Sequence, residues 1–462
     1  MFIRPIPYRD PVAAFAAFVD APFAALLDSA TTGPQARFSY IAANPYRVIG
    51  ATKNGATVDG RAVDCDPFAA LERELQQHAI EKEDAPVPFA GGAVGFLGYE
   101  LGGRLERLPA PRADAVNLPQ MTVGFYDTVI AFDHVEQAAW IISRGADAKA
   151  HAEILGQKLA QVPMQLPVPD WTNRGEWRAE LSRDDVEARI AKIIDYIHAG
   201  DIFQANFTQR FHSRRPQGLD DFMLYRRLSE INPAPFASFM RCGESFSIAS
   251  ASPERFLRLD HDGAIEARPI KGTRRRDFDP TRDTLLARAL QESAKDHAEN
   301  LMIVDLMRND LSRVSELGSV RVPQLCELES FASVHHLTSV VIGQLRKGLG
   351  PVDLLRASFP GGSVTGAPKI RAMEIIHELE PAPRGVYCGC MGWIGFDGAM
   401  DMSMAIRTMT IKDDQILAQA GGGIVADSNP AAEFDESMIK IAPLLRAVSG
   451  EKYDRMAERR SA

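Results

Sequence analysis

Apolar residues recur at helical spacing after residue 180: Val186, Ile190, Ile193, Ile194 and Ile197 fall on one face. Ser182 with Asp185 three positions later has the form of a capping box, and Gly200 stands where a helix would end. A second helical pattern runs from near Thr284 into "DHAENLMIVDLMRNDL". A third opens at "SNP", with Ser428 or Asn429 as cap and Pro430 at the first helical position, and continues through "AAEFDESMIKIAPLL". Between them, "SFSIASAS", "GWIGF" and "DMSMAIRTMTI" read as strands. In the last, strict alternation puts Met402, Met404 and Ile406 on one face, with Ser403 and Arg407 on the other.

Upstream, "GGAVGFLGYELGG" from Gly91 suggests strands joined by tight turns. "VPMQLPVPDWTNRGEW", from Val162 to Trp177, reads as a linker. It divides an N-terminal region, 1–165, from a second region, 175–450, that holds most of the suggestive chemistry. Strands and helices are grouped rather than strictly alternating, so the expected class is α+β with large, mostly antiparallel sheets flanked by helices.

Composition narrows the partners. The 462 residues carry 52 basic against 61 acidic side chains, a net charge of −9, which argues against a general nucleic-acid binder. The alanine-rich stretch near the N-terminus is broken by Asp20 and Pro22, too short a run to span a bilayer, and no apolar signal core precedes it. Cys65, Cys242, Cys326, Cys388 and Cys390 form no zinc or redox spacing and read as thiols of a reducing compartment, so a cytoplasmic location is expected.

Glu433 and Glu436 project from one helix face, and Glu299 follows Lys295 by four residues in another helix. Three carboxylates on two helices could hold one hard cation such as Mg²⁺. The alternative is an exposed helix supported by pairs such as Glu436 with Lys440. Gly421, Gly422 and Gly423 either bring backbone N–H groups to an anion or form a turn. Arg407 either grips a carboxylate or is solvated. "FPGGSVTGAPKIRAMEII" fails the nucleotide-binding loop pattern, because Ala367 and Pro368 follow Gly366 where Lys and Ser/Thr are required. "RPIKGTRRR" sets Lys271 among Arg268, Arg274, Arg275 and Arg276, and on charge alone is a solvated basic turn.

Taken in order, "GDIFQANFTQRF", "SASPERF", "RPIKGTRRR", "AKDHAENLMIVDLMRNDLSRV", "SVHHLTS", "FPGGSVTGAPKIRAMEII", "RGVYCGCMGWIGF", "MSMAIRTM" and "AGGGIVADSNPAAEFDES" resemble the chorismate-utilising enzymes. The resemblance implies the fold of anthranilate synthase component I. It also implies that Glu299 and Glu436, with Glu433 close by, bind Mg²⁺. Arg407, Tyr387 and the backbone of Gly421 to Gly423 would bind the enolpyruvyl carboxylate of chorismate. His336 would lie beside the ring, and Ser363 and Thr365 would line the site. Glu254 matches the general acid/base.

Lys271 separates branches of that family. Anthranilate synthases resemble this region but carry alanine there. In the aminodeoxychorismate synthases, which the present "PIKGT" resembles, the lysine adds to ring carbon 2 as the carbon 4 hydroxyl departs, and ammonia then replaces it at carbon 4. The product would be 4-amino-4-deoxychorismate, destined for 4-aminobenzoate and folate. A nucleophilic lysine must be neutral, and the four arginines are expected to depress its pKa. Gln204 stands where water-adding members carry a lysine base. No glutaminase nucleophile block occurs, so a separate glutaminase subunit in a heterodimer is the expected ammonia source. "LLDSA" and "NPAPFASFM" resemble tryptophan-binding segments, which places a tryptophan site at Ser29 and Pro233. The rival readings are anthranilate synthase component I, aminating carbon 2 with pyruvate elimination, and a catalytically silent binding subunit.

Overall fold

The computed structural model describes residues 1–31, 33, 35–82, 84–167, 176–330 and 334–449. Part of the predicted linker, 168–175, lies outside the described residues. Two twelve-stranded sheets dominate, and every strand pairing recorded in them is antiparallel. Helices pack on their outer faces, as the α+β expectation requires. One core cluster joins the sheets face to face, with Tyr40, Met240 and Ile248 from the first and Phe96 and Trp393 from the second. Two larger clusters seat helices on the outer faces.

Each sheet takes strands from both sides of the linker. The first runs from Phe2–Ile6 through Ala25–Asp28 to Phe236–Gly243, Thr408–Lys412, Gln415–Ile424 and Gln204–Arg214. The second runs from Ile270–Arg275 and Val334–Gln344 through Arg255–Leu259, Met400–Met404 and Cys390–Gly395 to Gly92–Leu97 and beyond. Long-range closure of this kind is invisible to local periodicity.

The helix at Arg183–His198 forms as its pattern predicts, with a reciprocal capping box between Ser182 and Asp185 and Gly200 in the left-handed region at φ +84°. The helix at Pro430–Ser449 opens with Asn429 Oδ1 accepting from the Ala432 amide. The second predicted helix is two helices, Pro280–Gln291 and Ala294–Ser312, because Ser293 caps the latter through its Oγ. Downstream of Gly92–Leu97 the expected second strand is a 3₁₀ helix, Tyr99–Arg104.

"DMSMAIRTMTI" is not one strand. Met400–Met404 belongs to the second sheet and Thr408–Lys412 to the first, so the chain crosses between sheets at Ala405 to Arg407. Arg407 sits at φ +50° in that crossing. The simple alternation that assigned its face therefore does not apply; a non-glycine residue held in the left-handed region is a local constraint worth a reason.

Candidate active site

Lys271 lies on Ile270–Arg275, an end strand whose register against Val334–Gln344 slips between Lys271 and Thr273. Gly272 makes the slip, with φ +76°, and a Cβ there would press on Leu290 at 2.8 Å and Asp296 at 3.0 Å. The slip turns Lys271 inward, where its Nζ donates to the Ser363 carbonyl at 3.3 Å. Lys271 keeps some solvent access. Protein nevertheless crowds its amine enough that burial pushes the pKa down, against the pull of Glu299 and Glu254, with Lys440 adding to the depression.

Three of the arginines are engaged elsewhere, and the side chain of Arg275 lies outside the described residues. Arg268 pairs with Glu329 at 2.5 Å, Arg274 with Asp296 at 3.2 Å and Arg276 with Asp283 at 2.7 Å. Each guanidinium faces a carboxylate of its own, and desolvation is what depresses Lys271. The expectation that the basic cluster keeps the amine neutral is thus corrected.

Glu254 is buried, and burial raises its pKa to about 7 even though Lys271, the Ser363 hydroxyl and Arg407 all pull it down. Its backbone carbonyl accepts from the Met404 amide at 3.0 Å, and Ser252 Oγ donates to the Met404 carbonyl at 2.6 Å. These bonds tie the "SPERF" segment to the crossing that carries Arg407. Burial lowers the Arg407 pKa, while Glu254 and the phenol of Tyr387 favour its charge. Tyr387 is buried, and the next residue's amide, Cys388, donates to Ala405 at 2.8 Å. Arg407, Tyr387, Glu254 and Lys271 therefore share one site.

His336 is buried on the strand beside Lys271, with Nδ1 2.8 Å from Thr273 Oγ1. Burial lowers its pKa to about 4, helped by Arg407, so the ring is neutral at physiological pH. Ser363 lies in a short 3₁₀ turn, Gly362–Val364, and Thr365 Oγ1 donates back to Gly361 at 3.0 Å. Gln204 is fully buried, and among the described residues its side-chain amide has no hydrogen-bond partner.

The glycines form neither a turn nor a loop. Gly421 to Gly423 are the last residues but one of Gln415–Ile424 and pair with Thr208, Phe207 and Asn206. A Cβ at Gly421 would meet the Phe207 carbonyl at 1.9 Å, and one at Gly423 would meet Gln204 Nε2 at 2.2 Å. At Gly421 the approach of the Phe207 backbone requires glycine.

The carboxylates are held by lysines. Lys295 Nζ lies 3.0 Å from Glu433 and 3.9 Å from Glu299, and Lys440 Nζ lies 2.7 Å from Glu436 and 3.2 Å from the Gly421 carbonyl. Ser428 Oγ also donates to Glu433 at 2.7 Å. Among the described residues no three His, Cys, Asp or Glu side chains are gathered as a metal-ligand set. A magnesium ion needs fewer: one or two carboxylates, with waters and substrate oxygens completing the shell. Glu299 fits, since burial raises its pKa and Glu433 and Asp296 add like charge, so a cation there would relieve it. Glu436 is exposed, and its pKa is lowered: desolvation, the largest single influence, pushes it up, but Lys440, Lys295 and Lys271 together outweigh it.

Sequence spacing alone does not reveal Lys440. Its pairing with Glu436 looks like routine helix support, and only the fold shows the same amine reaching Gly421 and influencing Lys271. Ser29 lies elsewhere, lining a cavity of about 610 Å³ between the sheets with Asp28, Ser238, Met391 and Trp393. Its Oγ donates to the Phe38 carbonyl at 2.7 Å. Pro233 is exposed, and Pro235, not Pro233, lines that cavity. Among the described residues, no helix is long and apolar enough to cross a membrane.

A half-buried lysine, a carboxyl that holds its proton to near neutral pH, an arginine at a strand crossing and a pair of glutamates on facing helices suit a doubly charged carboxylate substrate. The family model for chorismate binding enzymes matches residues 24–446, and the chain belongs to that family. It is 43% identical over 451 residues to aminodeoxychorismate synthase component 1 of Klebsiella aerogenes, covering 95% of this chain and 97% of that one. Its identity to the protein of the same name from Escherichia coli (strain K12) is 41% over 432 residues, covering 92% and 93%. Among solved structures it is similar to anthranilate synthase component I from Streptococcus pneumoniae TIGR4, with a TM-score of 0.79, 33% identity and coverage of 90% and 93%. That likeness fits the two-sheet architecture expected from the resemblance.

Proposed function

We propose that this chain aminates chorismate at ring carbon 4, giving 4-amino-4-deoxychorismate for 4-aminobenzoate and folate synthesis. One observation carries the reading: the desolvated amine of Lys271 shares a site with Glu254, a carboxyl whose pKa is raised to about 7. The Lys271 amine attacks carbon 2, both ring double bonds shift, and the carbon 4–oxygen bond breaks. Glu254 gives its proton to the departing hydroxyl, which leaves as water. Ammonia then bonds to carbon 4, the ring double bonds shift back, the carbon 2–nitrogen bond breaks, and Lys271 leaves as the amine while a proton returns to Glu254. Arg407 and Tyr387 hold the enolpyruvyl carboxylate, with the Gly421 to Gly423 backbone beside it. His336, Ser363 and Thr365 bound the ring. Glu299 and Glu436, with Glu433 behind them, would hold Mg²⁺, which supplies charge neutralisation for the ring carboxylate. Ammonia comes from a separate glutaminase subunit, in keeping with the "component 1" of the relatives' names.

Incubating the chain with chorismate, Mg²⁺ and ammonium, then analysing products by mass spectrometry, tests this. A 4-amino-4-deoxychorismate product is expected; direct formation of fluorescent anthranilate would overturn the reading in favour of anthranilate synthase component I, the activity named for the similar solved structure. The inter-sheet cavity at Ser29 is proposed to take tryptophan, and calorimetry without heat at millimolar tryptophan would remove that assignment.

A further inference from the structure

Arg384 is one of the largest fully buried side chains of the fold, and none of the roles above uses it. A buried cation is tolerated only when its partners are nearly complete, so those partners reveal its purpose. Nε and Nη2 form a two-pronged pair with Glu380 at 2.9 and 2.7 Å. Nη1 donates to the Val364 carbonyl at 2.7 Å, and Nη2 also donates to the Asn206 carbonyl at 2.5 Å. The Tyr99 ring lies 4.5 Å from Cζ. Glu380 in turn accepts from the Thr208 amide at 2.8 Å.

These acceptors belong to the pieces that carry the site. Val364 follows Ser363, whose carbonyl accepts from Lys271 at 3.3 Å. Successive carbonyls of one short turn thus face a guanidinium and the reactive amine. The Asn206 amide donates to Thr365 at 2.7 Å, so the strand that Arg384 grips also holds the far end of that turn. On the other side, the amides of Arg384 and Gly385 donate to Glu100 at 2.7 and 2.9 Å, fixing the segment that leads to Tyr387. Glu380 neutralises the guanidinium, so its influence on Lys271 is geometric.

We propose that Arg384 is a positioning residue that fixes the Ser363–Val364 turn and thereby aims the Lys271 amine at ring carbon 2. The inference rests on the covalent role of Lys271. A lysine at 384 keeps the charge opposite Glu380 but lacks the planar fork that serves two carbonyls and a carboxylate together.

The test measures kcat, KM for chorismate and the product ratio for Arg384→Lys and Glu380→Gln, with Lys271→Ala as reference. A misplacement of about 1 Å costs about 100-fold in rate, so Arg384→Lys is expected to lose about that much in kcat with KM little changed. The residual product should shift toward nitrogen on carbon 2, since ammonia then attacks there directly as the carbon 4 oxygen leaves as water. Glu380→Gln, which frees the guanidinium without removing it, should move both readouts the same way by less. A lower melting temperature with kcat and product ratio unchanged in Arg384→Lys would make the residue merely structural and overturn the proposal. If that variant does not fold, Glu380→Gln decides between the same outcomes. Wild-type turnover by Lys271→Ala would sink the nucleophile reading and this proposal together; an inactive Lys271→Ala beside an unimpaired Arg384→Lys sinks this one alone.

Discussion

The amine of Lys271 donates to the carbonyl of Ser363 across 92 positions of sequence. That bond joins the end strand of one sheet to the turn preceding the Lys369–Leu379 helix, and it holds the proposed nucleophile beside Glu254.

Lys271→Ala should abolish amination at carbon 4 and allow some at carbon 2, where anthranilate synthases place nitrogen. Mass spectrometry of the products with ammonium as nitrogen source reads both effects. Unchanged turnover would rule out the covalent adduct.

Glu254→Gln should lower kcat by about 10² to 10⁴, the usual worth of a positioned proton donor. It should also change how stability depends on pH. The folded-state pKa is raised from 4.5 to about 7, so the folded chain holds a proton that the unfolded chain has released in that window. The contribution is fully present below 4.5, declines as pH rises toward 7, and is gone above it. Melting curves from pH 4.5 to 8 should therefore fall less steeply for the variant than for the wild type.

Arg407→Lys keeps the charge but loses the planar fork that matches a carboxylate. A charge-assisted hydrogen bond is worth about 1.5–3 kcal/mol, so KM for chorismate should rise by about one to two orders of magnitude. Steady-state kinetics with saturating ammonium would expose an unchanged KM, which would remove Arg407 from the carboxylate site.

Glu299→Gln should weaken the response to Mg²⁺ more than Glu433→Gln does, because Glu433 is already engaged by Lys295 and Ser428. Titrating Mg²⁺ at fixed chorismate would show the half-saturating concentration rising in the first variant. Equal shifts would place Glu433 in the metal's shell.

Gly421→Ala should destabilise the fold, since its Cβ would lie 1.9 Å from the Phe207 carbonyl in a paired strand. Overpacking of this kind costs about 1–3 kcal/mol, readable as a lowered melting temperature. A wild-type melting temperature would mean that the two strands separate without cost.

Local signals determined much of this protein. Capping chemistry and helical spacing placed Arg183–His198 and Pro430–Ser449, because caps and amphipathic faces are decided within a few residues. The resemblance singled out Lys271, Glu254, Arg407 and Tyr387, and the fold brings them together. Only tertiary structure decided the rest. "DMSMAIRTMTI" splits because its two halves bury their faces in different sheets, which no alternation within the run can show. Arg268, Arg274 and Arg276 find their carboxylates on other elements, at Glu329, Asp296 and Asp283, so charges that look repulsive in sequence are neutralised pair by pair. The lowered pKa of the Lys271 amine comes from desolvation, and desolvation exists only once the neighbouring strand Val334–Gln344 and the helix Ala294–Ser312 have packed against its strand.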